Sequence, residues 1–242
     1  MKHPKNPSCI LEDIESYSKK AKQIGALLVV DSTFATPILQ KPLELGADFV
    51  MHSATKFLAG HSDVLAGVIV SKNEITTKKL HKEQSVMGNV LGNMESWLLL
   101  RSLRTVKLRV IQQSETAQKL AEWLESQVNN PETNSVLTKI WYPNLKSSPY
   151  YDLCQRQMNG RGPGMISIVL DSPENAQKLS SLLNVFTTAV SLGGYESLID
   201  YRYKWDKTVS PLLLRLSIGL ENVQDLIRDL KRAFQQLGKA QS

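Results

Sequence analysis

The sequence is poor in the residues and patterns that mark several classes of protein. Two cysteines, Cys9 and Cys154, in 242 residues are too few for a disulfide framework, and they have no zinc-site spacing. No apolar run reaches the roughly 18 residues of a membrane span, and residues 1–4 show no signal-peptide hydrophobic region. With only 13 glycines and 10 prolines, a low-complexity chain is excluded. We therefore expect a cytoplasmic protein without a metal site or a membrane partner.

The charge balance limits the choice of partner. The chain has 29 Lys and Arg residues against 23 Asp and Glu residues, a net charge of +6. This excess is scattered and is not interleaved with aromatic residues, so it predicts no nucleic-acid partner and favours a small anionic ligand only weakly. With 42% hydrophobic residues, the chain is long enough to bury a core in one large domain or two modest ones.

Helical and strand patterns alternate along the first part of the chain. Segments with helical patterns, some of them ended by glycine, are followed by short apolar runs. Such runs are typical of strands that are buried on both faces of a parallel sheet. The pattern predicts helices over 13–24 and 37–45 and strands over 26–30, 48–52 and 65–71. This alternation is typical of a doubly wound α/β layer.

The second part of the chain repeats an α/β pattern after a long helical stretch. We predict a long helical stretch over 85–127, then strands over 136–141, 165–170 and 212–217 and helices over 149–158, 173–184 and 222–236. A boundary at residue 108 would divide the chain into a first domain, 1–108, and a C-terminal domain, 109–242.

Two motifs that follow neighbouring predicted strands carry reactive side chains. Asp31 ends the first strand, and Lys56 follows the second with the hydroxyls of Ser53 and Thr55 beside it. The carboxyl ends of parallel strands form a ligand-binding edge, where a carboxylate can pair with a protonated ring nitrogen and hydroxyls can bind phosphate. A lysine there can form an imine if burial disfavours its charge. The alternatives are that Asp31 caps a turn and that Lys56 is an ordinary surface lysine.

Two further motifs lie in the second half of the chain. Arg215 interrupts an apolar strand, where its planar guanidinium suits a carboxylate ligand, and an internal salt bridge is the alternative. Gly193 and Gly194 let the backbone approach a ligand closely or simply form a turn. An acid for a ring nitrogen, hydroxyls for phosphate, an imine-forming lysine and an arginine for a carboxylate together match pyridoxal phosphate and an amino acid substrate.

Longer stretches resemble one enzyme family over essentially the whole chain. They are VVDSTFATP at 29–37, PLELGAD at 42–48, HSATKFLAGHSDV at 52–64, WLLLRSLRT at 97–105, SLGGYESL at 191–198 and LRLSIGLE at 214–221. These stretches resemble the Cys/Met-metabolism family of pyridoxal-phosphate enzymes, which includes cystathionine γ-lyases and γ-synthases. The resemblance implies an α/β, fold type I (aspartate-aminotransferase-like) architecture, with an incomplete doubly wound sheet in the large domain and a smaller α/β C-terminal domain.

The resemblance also implies roles for individual residues. Lys56 would form the internal aldimine with pyridoxal 5'-phosphate, and Arg215 and Ser191 would lie at the substrate, Arg215 binding its α-carboxylate. The implied cofactor contacts are Asp31 at the ring nitrogen, Asn6 at the ring hydroxyl, Thr33 at the ring face, Ser53 and Thr55 at the phosphate, and Lys56 itself.

The sequence also departs from the family pattern. Family chains begin well before the Pro-x-Asn-Pro motif, which starts here at Pro4, so we expect missing strands, uncovered apolar surface and association with other chains. Residues 201–209 replace the family's usual Met-Thr-His segment. The implied function is a carbon–sulfur lyase or γ-replacement enzyme acting on cystathionine-like substrates as a homotetramer. The alternative is a truncated, non-catalytic relative that acts as a subunit or partner of full-length chains.

Overall fold

A small mixed sheet organises the first part of the chain. The computed structural model describes residues 1–130 and 136–239. Within that part, the sheet has the order β1-β2-β3, formed by Val29–Asp31, Phe49–Ser53 and Gly67–Ser71. Strands β1 and β2 are parallel and β3 is antiparallel to β2. Because β1 and β2 run in the same direction, the residues that follow them emerge at the same edge of the sheet.

The helices around this sheet differ in two places from the sequence-based expectation. They are α1 (Ile14–Gln23), α2 (Thr36–Leu39), α3 (Glu74–Met87), α4 (Asn93–Leu103) and α5 (Val106–Gln127). The helix predicted to reach residue 45 ends at Leu39, because Pro42 disfavours helical backbone at the residue before it. The helical stretch predicted over 85–127 contains the end of α3, then α4 and α5, and residues 74–84 of α3 were not predicted as helix. Gly88, at φ +71°, ends α3 in the left-handed conformation.

A five-stranded, largely antiparallel sheet organises the second part of the chain. Its order is β4-β5-β8-β7-β6, formed by Leu137–Trp141, Met165–Leu170, Leu213–Ser217, Leu198–Asp200 and Thr187–Thr188. Helices α5, α7 (Pro173–Leu182) and α8 (Val223–Lys239) pack on it over the larger hydrophobic core, and α6 (Tyr151–Gln157) precedes β5. The α/β class is as predicted, but the short strands β6 and β7 were not.

Helix α5 belongs to both cores. Val106 and Val110 pack with residues around the first sheet, whereas Ala117 to Leu124 pack in the core of the second. The boundary predicted at residue 108 therefore falls inside α5, close to its start.

Large apolar side chains lie at the surface of the first part of the chain. Many of them lie around β3 and on or next to α3 and α4: Leu65, Ile69, Ile75, Val86, Met87, Val90, Met94, Trp97 and Leu100. Exposed apolar surface of this kind was expected, and it marks interaction sites in folded proteins. Within residues 1–130 and 136–239, no helix combines the length and the apolar character needed to span a bilayer.

Candidate active site

Asp31 is fixed at the carboxyl edge of the first sheet. Its backbone amide donates to the carbonyl of Met1 at 2.8 Å, and its carbonyl accepts from the amide of His3 at 2.9 Å. Its Oδ1 accepts from the amide and the hydroxyl of Thr33 at 3.1 and 2.6 Å. Asp31 thus makes the turn interaction considered from the sequence. No residue in the described part of the chain donates to its Oδ2, which leaves that oxygen for a ligand.

Thr33 links the ends of the two parallel strands. Its hydroxyl donates to Asp31 and accepts from the amide of Ser53 at 2.9 Å. The neighbouring Ser53 hydroxyl has no hydrogen-bond partner among the residues the structure describes. Thr33 therefore orients the carboxylate, and Ser53 keeps a hydroxyl for a ligand.

Lys56 lies in a tight turn that follows β2. Its amide donates to the carbonyl of Ser53 at 3.1 Å, and its carbonyl accepts from the amide of Gly60 at 2.7 Å. Its Nζ donates to the hydroxyl of Ser191 at 3.2 Å. Burial, and then the nearby Arg215 cation, lower the pKa of the Lys56 amine. The neutral amine is the nucleophilic form, so this environment favours reactivity.

Lys56 and Asp31 line the same cavity. Its volume is about 150 Å³ and its lining residues are Lys2, Pro4, Asn6, Asp31, Thr33, Phe34, Ser53, Lys56 and Leu192. The amine and the carboxylate, which are 25 positions apart in the sequence, therefore face one space. Four of the lining residues, Lys2, Pro4, Phe34 and Leu192, were not predicted, because they have no chemical signature beyond their place in the fold.

Arg215 is buried beside this cavity, with its side chain 2% exposed. Its Nη2 donates to the carbonyls of Val190 and Ser191 at 2.8 and 2.9 Å and lies 3.1 Å from Oδ2 of Asp200. Its Nη1 donates to Oδ1 of Asn6 at 3.1 Å. The internal salt bridge considered from the sequence is thus present. The Arg215 Nε remains buried and without a partner in the described residues, so it can still donate to an incoming anion.

Thr55 differs from the other predicted phosphate contact. Its hydroxyl donates to the carbonyl of Ala66 at 3.2 Å and accepts from the amide of Ala66 at 3.0 Å, and Thr55 is not among the residues lining the cavity. Its side chain thus anchors the strand that leads into β3. The local sequence motif could not predict that the Thr55 hydroxyl bonds to Ala66, because Ala66 lies 11 positions away.

A glycine loop closes the site from the second part of the chain. Gly193 has φ +77°, and a Cβ there would lie 2.7 Å from the amide nitrogen of Phe57. The carbonyl of Gly194 accepts from Nε2 of Gln113 at 2.7 Å. Gly193 therefore serves close packing against the turn that carries Lys56. Among the described residues, no group of three or more His, Cys, Asp or Glu side chains is arranged to hold a metal ion.

Comparison with known proteins assigns this fold and site to a class. Residues 1–235 match the model of the Cys/Met metabolism PLP-dependent enzyme family. Cystathionine beta-lyase of Lactococcus lactis is 40% identical over 96% of this chain, and cystathionine gamma-lyase of Bacillus subtilis is 38% identical over 97%. The crystal structure of cystathionine gamma-lyase from Lactobacillus plantarum complexed with L-serine superposes with a TM-score of 0.89 at 38% identity over 96% of this chain.

The chain belongs to the Cys/Met metabolism family of PLP-dependent enzymes. This confirms the resemblance, and the fold type I class with it. The chain spans 62% of the length of these two curated relatives and of the superposed structure.

The residues present fit the family's cofactor. A carboxylate oxygen at Asp31, a hydroxyl at Ser53 and an amine of lowered pKa at Lys56 face one cavity. Arg215 bonds to Asn6, which lines this cavity, and its Nε has no partner among the described residues. These are the groups that a protonated ring nitrogen, a phosphate, an aldehyde carbon and a substrate carboxylate require. The cavity is below the roughly 300–1,000 Å³ of ordinary ligand sites, so it encloses only part of such a ligand.

Proposed function

We propose that this chain carries the catalytic apparatus of a carbon–sulfur lyase or γ-replacement enzyme that acts on cystathionine-like amino acids. The observation that supports this most directly is that Asp31 and Lys56 line one cavity. When bound, pyridoxal phosphate supplies an electron sink for the charge left when a proton leaves Cα of the amino acid.

The residues divide the work by their chemistry. Asp31 would keep the ring nitrogen protonated through its free Oδ2, Asn6 would reach the ring hydroxyl, and Ser53 would bind the phosphate. Thr33 holds Asp31 in place. We propose that Thr55, predicted to bind the phosphate, supports that site indirectly, because its hydroxyl anchors the segment that leads into β3.

Lys56 would move the proton and Arg215 would orient the substrate. The lowered pKa of the Lys56 amine leaves it able to accept a proton from Cα, and Ser191 holds it by a hydrogen bond. The substrate α-carboxylate would accept from the Nε of Arg215, which has no partner within the described chain. Holding the carboxylate fixes which Cα bond faces Lys56.

Labelling tests the cofactor assignment. The chain is incubated with pyridoxal phosphate, reduced with borohydride and digested, and the peptides are weighed. We expect one pyridoxyl group on the Lys56 peptide, and none there in Lys56→Ala, whereas Lys41→Ala, which alters an exposed lysine, should be labelled like the wild type. Label spread over surface lysines, with none enriched at Lys56, would refute the assignment.

A turnover assay tests the reaction. Incubation with cystathionine should release a three-carbon 2-oxo acid if the β-carbon–sulfur bond breaks, or a four-carbon one if the γ-carbon–sulfur bond breaks. The assay uses chain incubated with pyridoxal phosphate and left unreduced, from a preparation in which a reduced sample shows the Lys56 label. Absence of both acids would refute lyase activity of this chain on cystathionine while leaving the cofactor site in place.

A second role has separate support. The exposed apolar side chains on α3, α4 and around β3 favour association, so we propose that the chain works in a homo-oligomer, a tetramer, or as a non-catalytic subunit of longer relatives. A monomer in sedimentation at micromolar concentration, alone and mixed with a full-length relative, would refute both forms of association.

The two free, buried cysteines favour a reducing compartment, and we propose the cytoplasm.

A further inference from the structure

Arg109 is a buried cation without an acidic partner. It is the fourth residue of α5 and only 6% exposed. A guanidinium buried to this extent is ordinarily paired with a carboxylate, because removing its charge from water is costly. No Asp or Glu of residues 1–130 and 136–239 forms an ion pair with it, and burial is what lowers its pKa. Its place in the fold therefore needs another explanation.

The Arg109 guanidinium donates two of its hydrogen bonds to the turn that follows Lys56. Its Nη1 donates to the carbonyl of Phe57 at 2.8 Å and its Nη2 to the carbonyl of Leu58 at 3.1 Å. Its other bonds return to its own helical segment, from Nη2 to the carbonyl of Ser102 at 3.0 Å and from Nε to the hydroxyl of Thr105 at 3.1 Å. The planar fork thus ties the two residues after Lys56 to the junction between α4 and α5.

The turn itself leaves room for this guanidinium. Gly60 has φ +68°, a conformation that favours glycine, and a Cβ on Gly60 would overlap Nη1 of Arg109. The amide of Gly60 also donates to the carbonyl of Lys56. Backbone conformation and side-chain size at Gly60 thus both accommodate the contact between Arg109 and the turn.

We propose that Arg109 is a positioning residue that fixes the Lys56 amine against Ser191 by holding the carbonyls of Phe57 and Leu58. This inference rests on the proposed role of Lys56 as the reactive amine. Because Arg109 holds the carbonyls of Phe57 and Leu58, the backbone at Lys56 is kept in one orientation. In that orientation the Lys56 side chain points into the cavity. Without the hydrogen bonds from Arg109, the turn becomes more mobile and the Lys56 amine contacts water. Its pKa then rises toward that of an ordinary lysine.

The test uses Arg109→Lys, which keeps the charge and loses the fork, with Arg104→Lys as the matched control at an exposed position. Acetylation of Lys56 in the cofactor-free chain is followed against pH by peptide mass spectrometry, with the exposed Lys119 as internal reference. We expect the Lys56 midpoint to lie below that of Lys119 in the wild type and in Arg104→Lys, and to move up toward it in Arg109→Lys. Borohydride-fixed labelling of Lys56 by pyridoxal phosphate should slow by about 100-fold in Arg109→Lys.

A purely structural role would give a different result. If Arg109→Lys keeps the wild-type circular dichroism and Lys56 keeps its acetylation midpoint, the proposal is overturned. If Arg109→Lys does not fold, Thr105→Val removes the acceptor of the Nε bond and leaves the arginine in place. It should shift the Lys56 midpoint in the same direction by less, and an unchanged midpoint in a folded Thr105→Val would also overturn the proposal. Because acetylation needs no cofactor, it reports on Arg109 even if the wild type does not capture pyridoxal phosphate.

Discussion

Replacing Asp200 with Asn should destabilise the fold strongly. Asp200 is 3% exposed, and its Oδ2 lies 3.1 Å from Nη2 of Arg215 and 3.3 Å from Nη1 of Arg202. Asn has nearly the same shape and no charge, so Arg215 becomes a buried cation without a counter-charge. Removing one partner of a buried ion pair costs roughly 3–5 kcal/mol. Because the carbonyls of Val190 and Ser191 still accept from Arg215, we expect the lower end, about 3 kcal/mol.

Arg202→Gln is the matched control, because it removes the other cation that Asp200 binds. The Arg202 side chain is 23% exposed, so its loss should cost only about 0–1 kcal/mol. The double variant should cost about 1 kcal/mol less than the sum of the two single variants, since it no longer holds two cations side by side. The free energy of unfolding is measured by urea titration at pH 7. A value for Asp200→Asn within about 0.5 kcal/mol of the wild type would refute the reasoning.

Three further predictions concern residues that line the cavity or adjoin its lining residues in the sequence. His3 is 1% exposed, and burial lowers its pKa to about 4, so its neutral form stabilises the fold above pH 6.5 and this contribution is lost as the pH falls through 4. Between pH 7 and 4 the wild type should therefore lose about 3 kcal/mol more unfolding free energy in urea than His3→Gln; equal losses would contradict this. Gly193→Ala should cost about 1–3 kcal/mol, seen as a lower Tm, because of its φ of +77° and the contact with Phe57; an unchanged Tm would contradict this. Thr33→Val should cost about 1–3 kcal/mol in urea by leaving the Ser53 amide unpaired, and Thr33→Ser should restore most of it.

The sequence was sufficient to predict the parts of the site that follow buried strands. A continuous apolar run that stops at Asp31, and a second that stops before Lys56, required two strands with side chains emerging at one edge. The parallel pairing of β1 with β2 has this arrangement, and the cavity contains both residues. Strand β5 likewise covers 165–170 as predicted, because every side chain but one in it is buried.

The parts that could not be predicted depend on contacts between distant segments. Strand β7 has three residues and no periodicity to detect, yet it sets Asp200 opposite Arg215 across the sheet. No sequence motif marks Arg109, and only its contact with Phe57, 52 positions earlier, shows what it binds. The hydrogen bonds between Thr55 and Ala66 could not be predicted for the same reason. Strand and helix periodicity report burial, whereas these pairings depend on which separate segments the fold brings together.

The most direct test is a crystal structure of the chain loaded with pyridoxal phosphate. We expect the cofactor ring to lie between Asp31 and Lys56, with a carboxylate oxygen of Asp31 at hydrogen-bond distance from the ring nitrogen and the Nζ of Lys56 bonded to the cofactor. A ring nitrogen that faces water, or a cofactor held at any other lysine, would contradict this expectation.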